Sequence, residues 1–212
     1  MTRVVAALFV DPRGPYWTDP RCECWEEYFD ARNYRGQLPI VAHPPCEAWS
    51  KPSVLREHRY GLPQGIDGGC FASALQSLHR WGGILEHPAE SLAWTEYQLA
   101  RPVFGDWMPA RDSRQRVYWV TECWQVDYGH RARKRTWLAY VGKNRPAPLV
   151  AQKSQHVACV SGMTNRSKRP TANRNRVWSN EAKRSPVAFA DALIELAANC
   201  GGPCTQEKAS EK

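Results

Sequence analysis

Long apolar runs are missing from this 212-residue chain. None approaches the roughly 20 residues that a bilayer-spanning helix needs, so no membrane partner is expected and a soluble protein is. The opening stretch MTRVVAALFVDPRG is apolar only briefly, carries one basic residue, meets Asp11 at once and lacks a small-residue cleavage site. It reads as a first buried strand rather than a secretory leader. Eight cysteines without a leader point to reduced thiols, in the cytoplasm or in a host cytoplasm if the source is viral, and not to a disulfide framework. Paired C-x2-C spacing is also lacking. Cys22-x-Cys24 and Cys200-Gly-Gly-Pro-Cys204 fall short of a zinc signature, and no metal is expected. No internal repeat is present.

Acidic residues are scarce where basic ones crowd. The chain holds 29 Lys and Arg against 21 Asp and Glu, a formal charge of +8. Residues 131–135 read RARKR, and residues 166–176 read RSKRPTANRNR without an acid. Such runs are ordinarily a solvated face. Two of them can also border one groove that follows a phosphate backbone, which suits DNA, single- or double-stranded, as partner.

The order of elements predicts an α/β protein. Strands are expected at Val4–Val10, Leu38–Ala42, Gly83–Leu85, Val117–Gln125 and Arg135–Val141, from β-branched and aromatic runs bounded by turn residues. Helices are expected at Trp25–Tyr34, at Gly68–Arg80 from the spacing of Cys70, Phe71, Ala74, Leu75 and Leu78, and from Ser185-Pro186 to Asn199, with Ser185 as cap. One domain over residues 1–200 is expected, with a basic insert at about 142–184 and a polar, disordered tail at 201–212.

Three segments carry chemistry. In LPIVAHPPCEAWS, residues 38–50, a buried strand delivers Cys46 at its carboxyl end through a loop stiffened by Pro44 and Pro45, where ligands bind in open α/β sheets. A second apolar strand ends on Glu86-His87-Pro88, with Glu86 placed 40 residues after Cys46. The third segment is Gly129-His130-Arg131-Ala132-Arg133, with its arginines 45 and 47 residues beyond Glu86. The bland readings are a buried cysteine, a capping glutamate and a solvated basic turn.

Taken in order, these segments resemble the DNA cytosine-5 methyltransferases, in a shortened, divergent, phage-type form. Pro45-Cys46 through Ser50 is similar to the family's nucleophile loop. Glu86 stands where its Glu-Asn-Val glutamate meets the ring nitrogen of a flipped base. Residues 129–133 are similar to its Gln-x-Arg-x-Arg segment, with Gly129 in place of glutamine and Gln125 nearby. The resemblance implies a Rossmann-like methyltransferase-type sheet flanked by helices and truncated in the cofactor half. It implies Cys46, Glu86, Arg131 and Arg133 as catalytic residues, and S-adenosyl-L-methionine as donor. Phe9, Asp11, Gly14 and Asp30 would be the cofactor residues, although Asp11, Pro12 and Arg13 occupy a loop that is glycine-rich in the family and residue 46 lies only 35 positions after residue 11. Ser50, Lys51, His130, Lys134, Arg166, Lys168, Arg169, Arg174 and Arg176 are the expected DNA contacts. His43, Arg131 and Arg133 are candidates to lower the pKa of the Cys46 thiol.

A thiolate added at C6 of a pyrimidine makes C5 enamine-like and ready to attack an electrophile, while an acid at N3 and an arginine at the carbonyl drain charge from the ring. The base must first leave the stack. Two alternatives stand beside the methyltransferase reading. One is C5 hypermodification or hydroxymethyl-type transfer from another donor. The other is a non-catalytic nucleic-acid-binding relative that uses some of the ten tryptophans and eight tyrosines for stacking.

Overall fold

Val5–Leu8 (β1) has no exposed side chain, the mark of a strand covered on both faces in a parallel sheet. The computed structural model of the chain describes residues 2–26, 30–49, 65–149 and 184–202. Within them a mixed sheet of seven strands runs in the order β2-β1-β3-β4-β7-β6-β5. β1, β2 (Cys22–Trp25), β3 (Ile40–Ala42) and β4 (Gly83–Pro88) are parallel. β7 (Arg135–Val141) joins β4 antiparallel, followed by β6 (Val117–Trp124) and the edge strand β5 (Met108–Arg111).

Alternation along the strands divides the core in two. Ala6, Leu8, Ile40, Ala42 and Leu85 face α1 (Cys70–Trp81), which seats Phe71, Ala74 and Leu78 against them. Val5, Ala7, Val41, Ile84 and Leu138 face α3 (Val187–Ala198), which contributes Phe189, Leu193 and Ile194. A short helix, α2 (Leu92–Glu96), is capped by Ser91, whose hydroxyl accepts from the Ala93 N–H at 3.2 Å. The sheet is therefore a middle layer between two helical ones.

Several expectations need correction. Trp25 ends a strand instead of beginning a helix, because Cys22–Trp25 finds a parallel partner in β1. Of the predicted helix only a 3-10 turn, Ala31–Asn33, is present among the described residues. Ser185 does not cap α3. The N-cap is Pro186, with no side-chain cap bond. β5 and α2 were not anticipated. Pro109 in β5 is tolerated because that strand lies at the sheet edge. Most of the basic insert (residues 150–183) and the tail from 203 lie outside the described residues.

Gly83 opens β4 at φ +113°, and a Cβ there would stand 2.0 Å from the Ile40 carbonyl oxygen. No side chain fits between β3 and β4 at this register. Gly83→Ala is expected to cost about 4 kcal/mol or more and to lose soluble protein, read by expression yield and thermal unfolding. A variant of unchanged Tm would contradict this packing.

Two buried histidines set an acid limit. Burial, then nearby Arg116, pulls the His79 pKa from 6.5 to about 4 against the opposing pull of Asp112. Burial does the same for His87, to about 4. Folded values below the unfolded value mean that the unfolded chain binds protons first as pH falls. The stabilisation is complete above pH 6.5 and is lost toward pH 4. Each histidine contributes about 1.4 kcal/mol per pH unit in that window. Thermal unfolding between pH 7 and 4 checks this, and a Tm independent of pH there contradicts it.

Candidate active site

Chain direction reverses at β1. The connection after β1 leads to β2 on one side, and the next leads back across to β3 on the other. Ligands bind outside the carboxyl ends of strands at such a switch point. Phe9, directly after β1, holds φ +60°, a left-handed conformation that is costly for a bulky residue. The His43 N–H donates to the Leu8 carbonyl at 3.0 Å, which extends the β1–β3 ladder to the mouth of the crevice.

Cys46 follows on a loop anchored from beneath. Its carbonyl accepts from the Trp49 N–H at 3.1 Å, and Trp49 is buried in the α1-side core. The Trp49 indole donates to Asp67 at 2.9 Å. Asp67 also accepts from the Gly69 and Phe71 N–H groups at the start of α1. The thiol loop is thus tied to a helix terminus, and Cys46 itself is half-buried.

On β4, Leu85 and His87 point toward α1, so Glu86 points to the α3 side by the two-residue period. Its carboxylate is only 5% exposed. Oε2 accepts from His43 Nδ1 at 2.9 Å, and Oε1 accepts from Gln125 Nε2 at 3.1 Å. Gln125 Nε2 also donates to Thr136 Oγ1 at 3.0 Å. On its far side His43 Nε2 lies 2.7 Å from the Tyr16 hydroxyl. Burial, then the charge of Glu86, holds the Tyr16 pKa well above its ordinary value, so the phenol keeps its proton and donates to Nε2. Burial alone would raise the Glu86 pKa. The ammonium of Lys134 and the His43 hydrogen bond outweigh it, bringing the value down to about 2.

Cys46 and Glu86 line one cavity of about 570 Å³, together with Tyr16, His43, Arg133 and Lys134. Arg184 also reaches it. A second cavity, about 620 Å³, is lined by Phe9, Asp11, Glu26, Asp30, Asp67 and Cys70. The two share Phe9, Val10, Asp11, Pro45 and Glu47 as a common wall.

The predicted site residues therefore divide. Cys46, Glu86 and Arg133 come together, while Arg131 is exposed and is not part of the cavity lining among the described residues. Arg131 and Arg133 are both exposed, so what separates them is that only Arg133 reaches the cavity. Phe9 and Asp11 line both cavities, Gly14 the first and Asp30 the second. His130, expected at a phosphate, is buried. Its Nδ1 accepts from the Ala132 N–H at 2.9 Å, which braces the turn, and the residue forms part of the wall of the first cavity. Lys134, also expected on DNA, is half-buried in the cavity wall. His43, expected to act on the thiol, has both ring nitrogens engaged by Tyr16 and Glu86. Ser50, Lys51, Arg166, Lys168, Arg169, Arg174 and Arg176 lie outside the described residues. Tyr16 and Gln125 were not picked out as site residues. Tyr16 signalled itself only by its position in the Pro-rich turn after β1, and Gln125, directly after β6, only as a glutamine near the Gly129–Arg133 segment.

Among the described residues no group of three His, Cys, Asp or Glu is placed to hold a metal, and no helix is long and apolar enough to cross a membrane.

Burial raises the thiol pKa of Cys22 to about 12, of Cys24 to about 11, and of Cys123 further still. Limited alkylation with iodoacetamide at pH 7.5 is expected to label Cys46 before these three, read by peptide mass spectrometry. Faster labelling of Cys123 would contradict the placement of Cys46 at an open cavity. Comparison with family models, with curated proteins and with solved structures returned no match.

Proposed function

We propose that this chain modifies C5 of a pyrimidine base in DNA through Cys46, in the manner that the resemblance to DNA cytosine-5 methyltransferases implies. The observation that carries this reading is the meeting of Cys46 and Glu86, 40 residues apart, in one cavity at the carboxyl ends of β3 and β4. That cavity is of ordinary ligand-site size and admits an extruded base. The Cys46 sulfur attacks C6, the Glu86 carboxyl group meets N3, and Arg133 and Lys134 face the carbonyl oxygen of the ring.

The sheet supports the reading as well. Parallel strands with a switch point at β1, and an antiparallel β7 between β4 and β6, suit a Rossmann-like methyltransferase-type scaffold. DNA fits the rim of the cavity. The Arg133 guanidinium lies 5.0 Å from the centre of the Trp124 ring, and Phe104, 60% exposed, stands edge-on to that ring at 6.0 Å. Such a cluster offers unpaired bases a stacking surface beside a cation.

The second cavity suits S-adenosylmethionine. Its acidic lining complements a sulfonium nucleoside, the left-handed Phe9 supplies the turn for which glycine was expected, and its shared wall adjoins the thiol cavity. Phe9, Asp11 and Asp30 would hold the group, with Glu26 beside them. Bound there, it would supply an electrophilic methyl. One observation favours a different donor. Asp11 and Asp30 are each engaged by an arginine two residues on, Arg13 and Arg32, which occupies carboxylates a ribose would use.

The test is mass spectrometry of nucleosides from DNA incubated with the protein, with and without S-adenosylmethionine. A changed pyrimidine that disappears with Cys46→Ala is expected. Its dependence on S-adenosylmethionine separates the two donors. No altered base with any DNA, together with unchanged DNA affinity of Cys46→Ala, would overturn the enzymatic reading.

A further inference from the structure

Cytosine and uracil present the same C6 to a thiolate but opposite partners at their N3–C4 edge. Uracil carries an N3–H donor beside a C4 carbonyl. Cytosine carries an N3 acceptor beside an amino group. A carboxylate meets the uracil edge as an ion, whereas at cytosine N3 it serves only as a neutral acid.

The surroundings of Glu86 favour the ion. Each carboxylate oxygen already accepts a hydrogen bond, from His43 Nδ1 on one side and from Gln125 Nε2 on the other. The amide orientation of Gln125 is set by two facing oxygens, Glu86 Oε1 and Thr136 Oγ1, because the reverse orientation would set its carbonyl against a carboxylate. His43 is oriented in turn by the buried Tyr16 hydroxyl. Lys134 and Arg133 place cationic donors in the same cavity. The array is thus an anionic acceptor flanked by donors. It matches the acceptor, donor, acceptor edge of uracil (O4, N3–H, O2).

We infer that the base taken by this cavity is a uracil-type pyrimidine, its N3–H donating to Glu86 and its carbonyls facing Lys134 and Arg133. This inference rests on the proposed role of Cys46. The covalent step is balanced without any further reagent. The Cys46 thiolate adds to C6, and the electron pair moves through C5 onto the C4 oxygen. C5 then takes a proton from water. In the reverse direction the original C5 hydrogen leaves to water, the double bond re-forms and the thiolate departs.

Exchange at C5 therefore reports on the base without a donor. Single-stranded oligonucleotides carrying [5-³H]deoxyuridine or [5-³H]deoxycytidine are incubated with the protein, and tritium released into water is counted. Release from uracil is expected to be about ten-fold faster or more, the effect of one mismatched buried hydrogen-bond pair. Cys46→Ala should release tritium from neither. Gln125→Glu sets a second carboxyl against Glu86, so that the pair shares a proton. It is expected to lower the uracil-to-cytosine ratio by about ten-fold, for the same reason. Equal or faster release from cytosine by the unaltered protein overturns the assignment to uracil and leaves Cys46 as nucleophile. Release from neither base overturns the nucleophile itself, and this inference with it.

Discussion

Burying an ionised carboxylate costs several kcal/mol unless its oxygens are met by donors of good geometry. Glu86 is almost fully buried, and the groups that meet it, or that position those that do, come from four separate parts of the chain. Tyr16 belongs to the turn after β1, His43 to the end of β3, Gln125 to the end of β6, and Thr136 and Lys134 to the beginning of β7. The requirement to satisfy one charge therefore holds together the ends of strands that would otherwise diverge into loops. A buried polar network in which each member positions the next also fixes one orientation of the imidazole and one of the amide.

The thiol is positioned by apolar packing. Trp49 and the Asp67 bonds fasten the Cys46 loop to the beginning of α1, on the face of the sheet opposite α3. Nucleophile and carboxylate thus reach the same cavity by independent means, one through a core anchor and the other through hydrogen bonds. Both anchors converge at the switch point, where β1, β3 and β4 end side by side and leave a crevice. The strained backbone of Phe9 lies on the wall between the two cavities, where a small backbone change would alter both.

Much of this fold was legible. β1, β3, β4, β6, β7, α1 and α3 lie within a few residues of where hydrophobic period and turn residues place them. Short runs buried on both faces, the amphipathic α1 and the apolar α3 that follows a Ser-Pro start leave few alternatives. β2 was misread because Cys22–Trp25 has no strong propensity of its own and becomes a strand by pairing with β1. The order of the strands was not legible, since no local signal states which edge a strand will join.

The same division applies to the candidate site. Cys46 and Glu86 were visible because one follows an apolar strand through a Pro-Pro turn and the other closes the apolar run of a strand, and both are local features of the sequence. Their companions were not. Tyr16 lies 27 positions from His43, and Gln125 lies 39 from Glu86. Arg133 and Arg131 look alike in the sequence, but only one lines the cavity, because a side chain's direction in a turn is set by the packing beneath it. The sequence alone determined an α/β chain with a thiol in the loop after one buried strand and an acid toward the carboxyl end of another. Tertiary structure decided which groups surround the acid, whether it is charged, and so which hydrogen-bond edge it meets, because desolvation and partner geometry exist only after distant segments have packed.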